Sequence, residues 1–372
     1  MSKRVLISGG GGYLGFRTAL KYLQDSDARV VLTVHAKDQD ELAHKSEPLL
    51  QAAGQYADRV EPVRFELEEE EPLRELDPSS IDEIIHSAAV TRFNVEADVA
   101  QTVNINGTEK VMKFASQCPR LQSFGLLSSI YASGLRKGEI LETRLNDSEG
   151  FANHYELSKW SGEELLFKKY ESLPWKVFRI ATVLADRDDG LTIQQNAVHN
   201  TLKLFYYGLI SLIPGSPETP VYLVNGDFVA QSVFEGMQSF PQKQIYHVCH
   251  AREHSIQLGE LIDLAYETYL KDPAFKSRRL LKPLFADAQS FHALVKGATE
   301  FGGNVLSQAV SSIAPFGVQL FITKDVKNNE LVSRLSHYAP PNPQEHARNT
   351  CQFLVESKFK KLSLTDIVGG AQ

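Results

Sequence analysis

Tyr155 and Lys159 are the two residues whose types and spacing most directly indicate chemistry. They are four positions apart in the segment YELSK, so on a helix they lie on one face, one turn apart. An ammonium group beside a phenol favours the phenolate and lowers the pKa of the tyrosine toward neutrality. Tyr155 is then a usable general acid for a carbonyl oxygen, or a base for a hydroxyl group, and Lys159 can also reach a ribose hydroxyl. Taken alone, the pair also fits an ordinary amphipathic surface helix.

Ser129 supplies a second hydroxyl group, since Ser128 and Ser129 follow directly on the apolar segment 123–127. At the carboxyl end of a strand in a doubly wound sheet, this serine lies beside the ligand. There it can hydrogen-bond and polarise a reacting oxygen, although serines that only cap a turn are also common at such ends. The joint pattern of a glycine-rich turn, a strand-end serine and a Tyr-x-x-x-Lys helix, in this order, favours an active site.

A glycine-rich turn, SGGGGYLG at residues 8–15, follows the apolar run VLI near the start of the chain. Glycines at 9, 12 and 15 accept positive φ and let a ligand approach the backbone closely. A pyrophosphate would lie on the N–H groups of the helix that follows. The spacing is Gly-x-x-Gly-x-x-Gly rather than the tighter Gly-x-Gly-x-x-Gly. Because plain loops can also be rich in glycine, the turn indicates a ligand site only in combination with Tyr155 and Lys159 downstream.

Strand and helix patterns alternate through the first half of the chain, which predicts right-handed crossovers and a parallel sheet. The predicted strands are Arg4–Ser8, Arg29–Val34, Val60–Phe65, Glu83–His86, Ser123–Leu127 and Trp175–Arg179, and the predicted helices are Phe16–Gln24, Asp40–Tyr56, Val99–Cys118 and Tyr155–Tyr170. The sequence therefore predicts an α/β fold with a doubly wound, Rossmann-type parallel sheet and a ligand at the carboxyl ends of its strands.

The pattern is less regular after residue 182, which predicts a smaller, mostly helical C-terminal substrate lobe. Its predicted elements are the helices Leu191–Tyr207, Asp227 onward and Leu258–Leu270, the strand Ile245–Val248, and the apolar helical segments Leu281–Phe285, Phe291–Val295 and Val305–Val310. We expect a dinucleotide-binding domain over 1–185 to which 221–250 returns, and a substrate lobe over most of 186–372. The tail from about residue 361 is expected to be poorly ordered at its end.

Composition excludes several classes of function. The chain has 372 residues and a net charge of -7, so no basic excess exists to neutralise the phosphates of a nucleic acid. Its three cysteines are scattered, without metal-site or disulfide spacing, which fits a reducing cytoplasm. The apolar run at the N-terminus is too short for a signal peptide, and no run approaches the roughly 20 residues of a membrane span. We expect a cytoplasmic protein with no metal, nucleic acid or transmembrane segment.

With these motifs, the chain resembles the extended short-chain dehydrogenase/reductase family over roughly residues 3–250. The matching motifs are Ser8-Gly9-x-x-Gly12-x-x-Gly15, His86-Ser87-Ala88-Ala89, Asn104-Ile105-Asn106-Gly107-Thr108, Ser129, and Tyr155 with Lys159. The resemblance implies Ser129, Tyr155 and Lys159 as catalytic residues. The cofactor-binding residues that we predict are Gly9, Gly12, Tyr13, Leu14, Gly15, His35, Lys37, Glu66, Leu67, Ser87, Ala88, Ala89, Asn104, Lys159 and Ile180. One departure is Ile180, which stands where the family's Arg-Pro motif has proline.

Within that family the chain is similar to the branch that reduces acyl thioesters, the fatty acyl-CoA reductases and terminal thioester reductases. The segment HSAAVTRF, ending at Phe93, resembles the branch's His-x-Ala-Ala-x-x-x-Phe, and SKW with Glu163 resembles its Ser-Lys-Trp-x-x-Glu. VNGDFVA resembles Val-Asp-x-Val-Ala, except that Gly226 precedes Asp227 here. This similarity implies reduction of an acyl thioester, bound to CoA or to an acyl or peptidyl carrier protein, to an aldehyde or alcohol. Sugar-nucleotide epimerases share the core motifs but usually lack Phe93 combined with Trp160.

The residues after the second strand bear on the choice of cofactor. NAD-dependent proteins of this fold often place Asp or Glu there, whereas this chain reads TVHAKD over 33–38. His35 stands where acyl reductases usually have Arg. His35 and Lys37 can hold a 2′-phosphate, less firmly than a guanidinium, or both are simply exposed polar residues. We expect NADP(H) rather than NAD(H). By analogy with the family, Glu66 lies near the adenine; otherwise it begins a solvated acidic turn.

The substrate side is expected to be apolar. We predict that Leu202–Pro214, interpreted as a buried or interfacial helix, and the helices after Leu281 form a wall facing the nicotinamide. Phe205, Tyr206 and Tyr207, with neighbouring Leu209 and Ile210, would then line a pocket for an acyl chain. For any one of these residues, a place in the core of the lobe is the more common outcome.

Three alternatives stay open at this point. One is an NAD(P)-dependent secondary-alcohol dehydrogenase of the 3β-hydroxysteroid type, because SSIYASG over 128–134 also resembles those enzymes. Another is a sugar-nucleotide epimerase or dehydratase, although residues 186–225 contain no evident cationic cluster for a second diphosphate. The last is a non-catalytic NADP-binding regulator. Intact Ser129, Tyr155 and Lys159 argue against the regulator, since a sensor needs no proton donor.

Overall fold

Seven parallel strands form the central sheet of the protein, in a computed structural model that describes residues 2–301 and 303–369. The strands of the described residues are β1 Arg4–Ser8, β2 Arg29–Val34, β3 Val60–Arg64, β4 Glu83–His86, β5 Ser123–Ser129, β6 Gly138–Ile140, β7 Trp175–Ile180, β8 Thr182–Ala185, β9 Leu212–Pro214, β10 Pro220–Val221, β11 Leu223–Asn225, β12 Gln244–Val248, β13 Ile256–Gln257, β14 Leu284–Ala286 and β15 Lys324–Val326. The order of the strands in the central sheet is β12-β7-β5-β4-β1-β2-β3.

Helices cover both faces of this sheet and form most of the C-terminal lobe. They are α1 Tyr13–Asp25, α2 Gln39–Ala53, α3 Ala97–Val99, α4 Gly107–Ser116, α5 His154–Lys169, α6 Ala197–Tyr206, α7 Gly226–Ser239, α8 Leu258–Tyr269, α9 Pro273–Ser277, α10 Ala288–Phe301, α11 Gly303–Gln319, α12 Asn329–Val332, α13 Pro343–Glu356 and α14 Asp366–Gly369. A π-helical segment, Ala100–Asn106, joins α3 to α4. Among the described residues, no helix is both long and apolar enough to cross a membrane.

The order of the strands determines where a ligand fits. Every residue of β5 and β7 is buried, as expected for parallel strands covered by helices on both faces. The connections run outward in opposite directions from the neighbouring strands β1 and β4. In an open α/β sheet, a crevice forms at the carboxyl ends of the strands at such a switch point. The glycine-rich turn follows β1 directly, so it lies at this crevice.

The segment 221–250 contributes to the same sheet. Strand β12 pairs with β7 in parallel register, with Val248 opposite Ile180. Helix α7 packs against α1 on one face of the sheet. The residues that follow build the C-terminal lobe, which is attached to the sheet domain through short strand pairs such as β15 with β6.

Two predicted helical segments are wrong in their details. Helix α6 ends at Tyr206, and Leu212–Pro214 is strand β9, which pairs with β14. Segment 281–285 is also not helical, since β14 begins at Leu284. Pro283 explains this second difference, because proline lacks the N–H that a helix needs and disfavours the helical conformation at the residue before it.

The C-terminal tail packs against the sheet domain as far as Ile367, which is 6% exposed. Leu362 and Leu364 also contact the core of that domain, and a guanidinium N–H of Arg187 donates to the Ile367 carbonyl at 3.3 Å. The tail was expected to be poorly ordered at its end, and its last residues, 370–372, lie outside the described part of the chain.

Candidate functional site

A cavity of about 890 Å³ lies at the carboxyl ends of the sheet strands. Residues at or just after the ends of β1, β2, β3, β4, β5 and β7 all contribute to its wall. Of the predicted site residues, the cavity is lined by Gly9, Gly12, Tyr13, Leu14, His35, Glu66, Leu67, Ser87, Ala88, Ala89, Ser129, Tyr155, Lys159 and Ile180. Gly15, Lys37 and Asn104 lie outside the lining. The fold thus brings the glycine-rich turn and the Ser-Tyr-Lys group into one space.

The glycine-rich turn is compact because its glycines allow close backbone approach. Gly9 has a φ of +72°, and a Cβ there would lie 2.7 Å from the Ala88 nitrogen. The Gly9 N–H donates to Thr33 Oγ1 at 2.8 Å. A Cβ on Gly15 would lie 2.8 Å from the Gly9 carbonyl carbon, so this glycine serves helix packing rather than the cavity wall. The first N–H groups of α1 are left for an anion, as at any helix N-terminus.

The opposite end of the cavity carries charged side chains suited to an adenosine moiety. His35 Nδ1 lies 3.1 Å from Glu66 Oε2, while Glu66 Oε1 is buried without a hydrogen-bond partner. An adenine amino group would supply the missing donor, so this end fits a dinucleotide. Lys45, on α2, also lines the cavity and donates to the His35 carbonyl at 2.8 Å. Sequence reasoning missed Lys45, because it is ten residues beyond His35 and only the course of α2 brings it back.

Lys37 does not join this group. It is exposed, and its backbone N–H donates to the Glu41 carboxylate at 2.8 Å. Glu41 also pairs with Lys45 at 2.7 Å. The chain turns away from the cavity where Asp38 caps α2, accepting from the Glu41 N–H at 2.8 Å. This early start of the helix is the reason why Lys37 faces solvent instead of the cavity.

Helix α5 positions Tyr155 and Lys159. Asn153 caps the helix, with its side chain accepting from the Glu156 N–H at 3.0 Å, so Tyr155 falls in the first turn. The Lys159 ammonium group donates to the Leu127 carbonyl at 3.0 Å and lies 6.0 Å from the centre of the Tyr155 ring. This bond fastens α5 to the end of β5, which also carries Ser129.

The electrostatics of this group differ from the expectation in one respect. Burial raises the pKa of Tyr155 to about 12, although hydrogen bonding with Ser129 opposes the shift. The expected lowering of the Tyr155 pKa toward neutrality is therefore wrong for this structure. Burial also lowers the pKa of Lys159 to about 8. At neutral pH the phenol consequently keeps its proton, which suits a proton donor better than a base.

An aromatic wall covers the Tyr155 end of the cavity. The ring of Phe93 lies 5.4 Å from that of Tyr155, 5.2 Å from that of Tyr131 and 5.4 Å from that of Phe316. Phe316 comes from α11, so one of the helices after Leu281 does reach the site as expected. Tyr155 is only 8% exposed beside this wall, and the apolar lining favours an apolar ligand.

The aromatic residues predicted for that wall lie elsewhere. Phe205 packs at 5.3 Å from Tyr269, and Tyr206 packs at 5.6 Å from Phe275, between ring centres. These side chains form the core of the C-terminal lobe and do not line the cavity. Their placement follows from the end of α6 at Tyr206, where the chain turns toward the C-terminal lobe.

A buried polar network stands behind the site. Glu163, on α5, accepts from Arg179 at 2.7 Å and from the Ser128 hydroxyl at 2.5 Å. Arg179 is fully buried and also contacts His247 at 3.2 Å. The network joins α5 to three adjacent strands of the sheet. The role of Glu163 in the sequence motif is therefore structural: it holds these elements together and does not contact a ligand.

Two further motif residues act in the same way. His86 is buried between Ser8 Oγ at 2.5 Å and Thr108 Oγ1 at 2.8 Å, and burial lowers its pKa to about 3. Asn104 bonds both backbone groups of Val90 and the Ser158 hydroxyl. These side chains fix the strand ends around the cavity. Within the described residues, no cluster of His, Cys, Asp and Glu side chains is able to hold a metal ion.

The NAD-binding family described as Male sterility protein matches residues 7–233, more than half of the chain. The chain belongs to the male sterility protein family. An alcohol-forming fatty acyl-CoA reductase of Simmondsia chinensis is 22% identical over 250 residues, 52% of this chain and 51% of that protein. The chain spans from 10% to 52% of the length of the curated relatives that it matches.

Two solved structures share the fold of this male sterility family chain. The terminal R domain from the myxalamid PKS-NRPS pathway has a TM-score of 0.76 at 20% identity, with 97% of this chain and 92% of that chain covered. A thiolation-reductase di-domain from an archaeal non-ribosomal peptide synthetase has a TM-score of 0.76 at 18% identity, with 97% and 77% covered. The predicted fold class and the resemblance to the thioester reductase branch are confirmed.

Proposed function

We propose that this chain uses NADPH to reduce an acyl thioester to an aldehyde, or onward to an alcohol. The observation that carries the proposal is that Ser129, Tyr155 and Lys159 line one cavity with the glycine-rich turn, next to an apolar aromatic wall. The relatives' printed names, among them a fatty acyl-CoA reductase, support the same substrate class.

The reaction follows from the roles of the three side chains. A bound nicotinamide supplies the hydride that goes to the carbonyl carbon. Tyr155, protonated at neutral pH, gives its proton to the carbonyl oxygen as negative charge develops there, and Ser129 donates a hydrogen bond to the same oxygen. Lys159 stabilises the phenolate that remains and binds the ribose. One hydride and one proton convert the thioester to a hemithioacetal, whose C–S bond then breaks to give the aldehyde and a free thiol.

The preference for NADPH over NADH is part of the proposal. Lys45 and His35 line the adenosine end of the cavity with Glu66, and a 2′-phosphate needs partners that are cationic or donate hydrogen bonds. No carboxylate directly follows β2, where NAD-dependent proteins of this fold often have one. Lys37 does not contribute to this end of the cavity, because it faces solvent.

A carrier-bound thioester fits the cavity better than free CoA. Among the described residues that line it, the lysines are Lys45, at the adenosine end, and Lys159, at the catalytic group. The wall near Phe93 and Phe316 therefore offers no cation for the diphosphate of CoA. A carrier-bound arm has a single phosphate diester at the far end of the pantetheine in place of the diphosphate and nucleotide of CoA, so it requires fewer cationic partners. The fold likeness to a thiolation-reductase di-domain is consistent with that partner.

Domain organisation and location complete the proposal. We assign dinucleotide binding to 1–185 with 221–250, and substrate binding mostly to 186–372. The three cysteines, Cys118, Cys249 and Cys351, are buried and unpaired, which fits a reducing compartment such as the cytoplasm.

The test is NADPH consumption with a panel of acyl-CoAs, acyl-pantetheines, ketones and aldehydes, with NADH as the control cofactor. We expect turnover with thioesters and NADPH, and aldehyde or alcohol as product. Tyr155→Phe should abolish turnover but leave NADPH binding intact. Turnover with ketones alone would move the function to alcohol–carbonyl exchange, and a sugar nucleotide converted without net cofactor use would indicate an epimerase. Cofactor binding without turnover of any substrate would instead favour the non-catalytic NADP-binding regulator.

A further inference from the structure

A second buried polar cluster lies beneath the loop that follows Ser129. Lys324, on β15, and Gln319, at the end of α11, both come from the C-terminal lobe and are 6% and 5% exposed. The Lys324 ammonium group donates to the Gly134 carbonyl at 2.6 Å and to Ser133 Oγ at 2.8 Å. The Gln319 amide donates to the same Gly134 carbonyl at 3.2 Å.

The cluster continues to the first turn of α5. The Gln319 amide also donates to Glu156 Oε1 at 2.9 Å. Asn153 donates to the same oxygen at 2.9 Å, and the Ala152 N–H donates to Oε2 at 2.9 Å. Glu156 is completely buried and adjoins Tyr155 in sequence. A continuous set of bonds therefore runs from Lys324 through the Gly134 carbonyl and Gln319 to Glu156.

These hydrogen bonds reach both parts of the proposed catalytic group, since one end holds the loop after Ser129 and the other end holds the helix turn of Tyr155. Ile130–Ser133 is a single 3₁₀ turn between Ser129 and Gly134, so a fixed Gly134 carbonyl leaves Ser129 little freedom. Glu156 fixes the helix turn that carries Tyr155. The Gly134 turn cannot relax easily, because its φ is +56° and a Cβ would lie 2.9 Å from the Phe151 ring.

We infer that Lys324 and Gln319 are positioning residues, which hold Tyr155 against Ser129 from the C-terminal lobe. The inference rests on the proposed roles of Ser129 and Tyr155. Neither Lys324 nor Gln319 lines the cavity, so neither touches substrate or cofactor. Their contribution is geometric, since a misplacement of about 1 Å in a catalytic group can cost about a hundredfold in rate.

Charge adds a reason for a lysine at residue 324. Burial is the main reason why the pKa of Tyr155 is raised, and the charge of the neighbouring buried carboxyl group of Glu156 adds to the rise. Lys324 provides the opposite charge close to both Glu156 and the Tyr131 ring, whose centre is 5.9 Å from the ammonium nitrogen. Loss of this cation would leave Glu156 without its compensating charge beside the proton donor.

Lys176 supplies a matched control, because it is also a buried lysine that donates to two backbone carbonyls, those of Gly236 and Met237 at 2.7 and 3.0 Å. It lies near the start of β7, away from the cavity. Burial lowers the pKa of both lysines to about 8. Lys176→Met therefore measures what the loss of any such lysine does to the protein.

The experiment compares Lys324→Met, Lys324→Arg, Gln319→Met and Lys176→Met in the reduction of octanoyl-pantetheine by NADPH. We expect Lys324→Met and Gln319→Met to lower kcat about tenfold or more, with the Kd for NADPH within about twofold of wild type. Lys324→Arg, which keeps a donor and the charge, should recover much of the loss. A kcat for Lys324→Met and Gln319→Met no lower than that of Lys176→Met would overturn the inference, and so would a parallel loss of NADPH binding. If Lys324→Met does not fold, Gln319→Met decides.

Crystal structures of wild type and Gln319→Met give a readout that does not need activity. The separation of Ser129 Oγ and Tyr155 Oη should increase by about 1 Å in the variant. An unchanged separation would refute the positioning role even if the wild type reduces thioesters. Conversely, a wild type that reduces no thioester would refute the proposed function, while an increased separation would still support the positioning role.

Discussion

The hydroxyl group of Tyr13 occupies the space that a side chain at Gly226 would need. A Cβ on Gly226 would lie 2.7 Å from Tyr13 Cζ and 3.1 Å from Asp186 Oδ1. Tyr13 donates to that same carboxylate oxygen at 2.8 Å, and Arg17 pairs with it at 3.0 Å. Gly226, which stands where the motif Val-Asp-x-Val-Ala has valine, therefore packs directly against Tyr13 of the glycine-rich turn, more than 200 residues earlier in the chain.

Gly226→Ala should destabilise the protein by about 1–3 kcal/mol, because the added methyl group overpacks a rigid buried site. Tyr13→Phe alone should cost about 1–3 kcal/mol, since the buried Asp186 loses a donor. In the double variant the clash is partly relieved, so the combined cost should be smaller than the sum by about 1 kcal/mol. Urea unfolding of the four proteins measures this coupling.

Gly297→Ala is the control for that cycle, because a Cβ on this helical glycine meets no heavy atom within 4 Å. It should be neutral or slightly stabilising. Strict additivity of Gly226→Ala and Tyr13→Phe would show that the two residues are not coupled.

Glu163→Gln should cost about 3 kcal/mol or more, because it leaves the fully buried Arg179 guanidinium without its counter-charge. The matched control is Glu171→Gln, which removes the partner of Arg144 in an ion pair that is more than half exposed on both sides. That surface pair should contribute less than about 1 kcal/mol. Thermal and urea unfolding of both variants test the contrast, and equal losses would contradict the structural role of Glu163.

The sequence predicts the structure best where a short local motif determines the local backbone conformation. The strands β1, β2 and β4 follow directly from short apolar runs ahead of polar turns, and Ser129, Tyr155 and Lys159 follow from motif order. Lys45 could not be found in this way, because its place in the cavity depends on the direction of α2. The same limit applies to Phe316, which comes from a distant helix whose packing on the sheet domain no local pattern specifies.

The misplaced wall at Phe205 and Tyr206 has a related cause. An apolar stretch indicates burial but does not say in which of two cores it is buried. Here Gly208, with a φ of +70°, reverses the chain after α6 and directs these aromatic side chains into the core of the C-terminal lobe. The Glu163–Arg179 pair was equally hidden, since its partners are on different elements and meet only when α5 packs on β7.

Lys45→Ala should weaken NADPH binding about tenfold to a hundredfold and leave NADH binding unchanged. Under the proposed preference for NADPH, the variant loses a charge-assisted hydrogen bond to the 2′-phosphate, and such a bond contributes about 1.5–3 kcal/mol. Lys37→Ala is the control, because the side chain of Lys37 is exposed outside the cavity. Fluorescence titration of the wild type and both variants with each cofactor measures the six Kd values. A larger effect of Lys37→Ala would restore the interpretation made from the sequence, and equal losses for NADPH and NADH would remove Lys45 from phosphate recognition.

A single buried residue, His199, is expected to make the free energy of unfolding depend on pH in the acidic range. Its Nε2 bonds the Leu184 carbonyl at 2.7 Å, and its Nδ1 accepts from the Asn196 N–H at 3.1 Å. Burial lowers the pKa of His199 from 6.5 to about 4. Between these two pH values the unfolded chain binds a proton that the folded chain does not, so the contribution of His199 to stability falls as the pH falls through this window.

The expected size of the effect is up to about 1.4 kcal/mol per pH unit between pH 6.5 and about 4. His199→Gln removes the titrating group, so its free energy of unfolding should depend less steeply on pH than that of the wild type by this amount. The comparison uses the difference in slope, because the substitution also removes hydrogen bonds and lowers stability at every pH. His292→Gln, which changes an exposed histidine, is the control variant. Parallel curves for His199→Gln and wild type would mean that His199 takes up its proton in the folded state as readily as in the unfolded one.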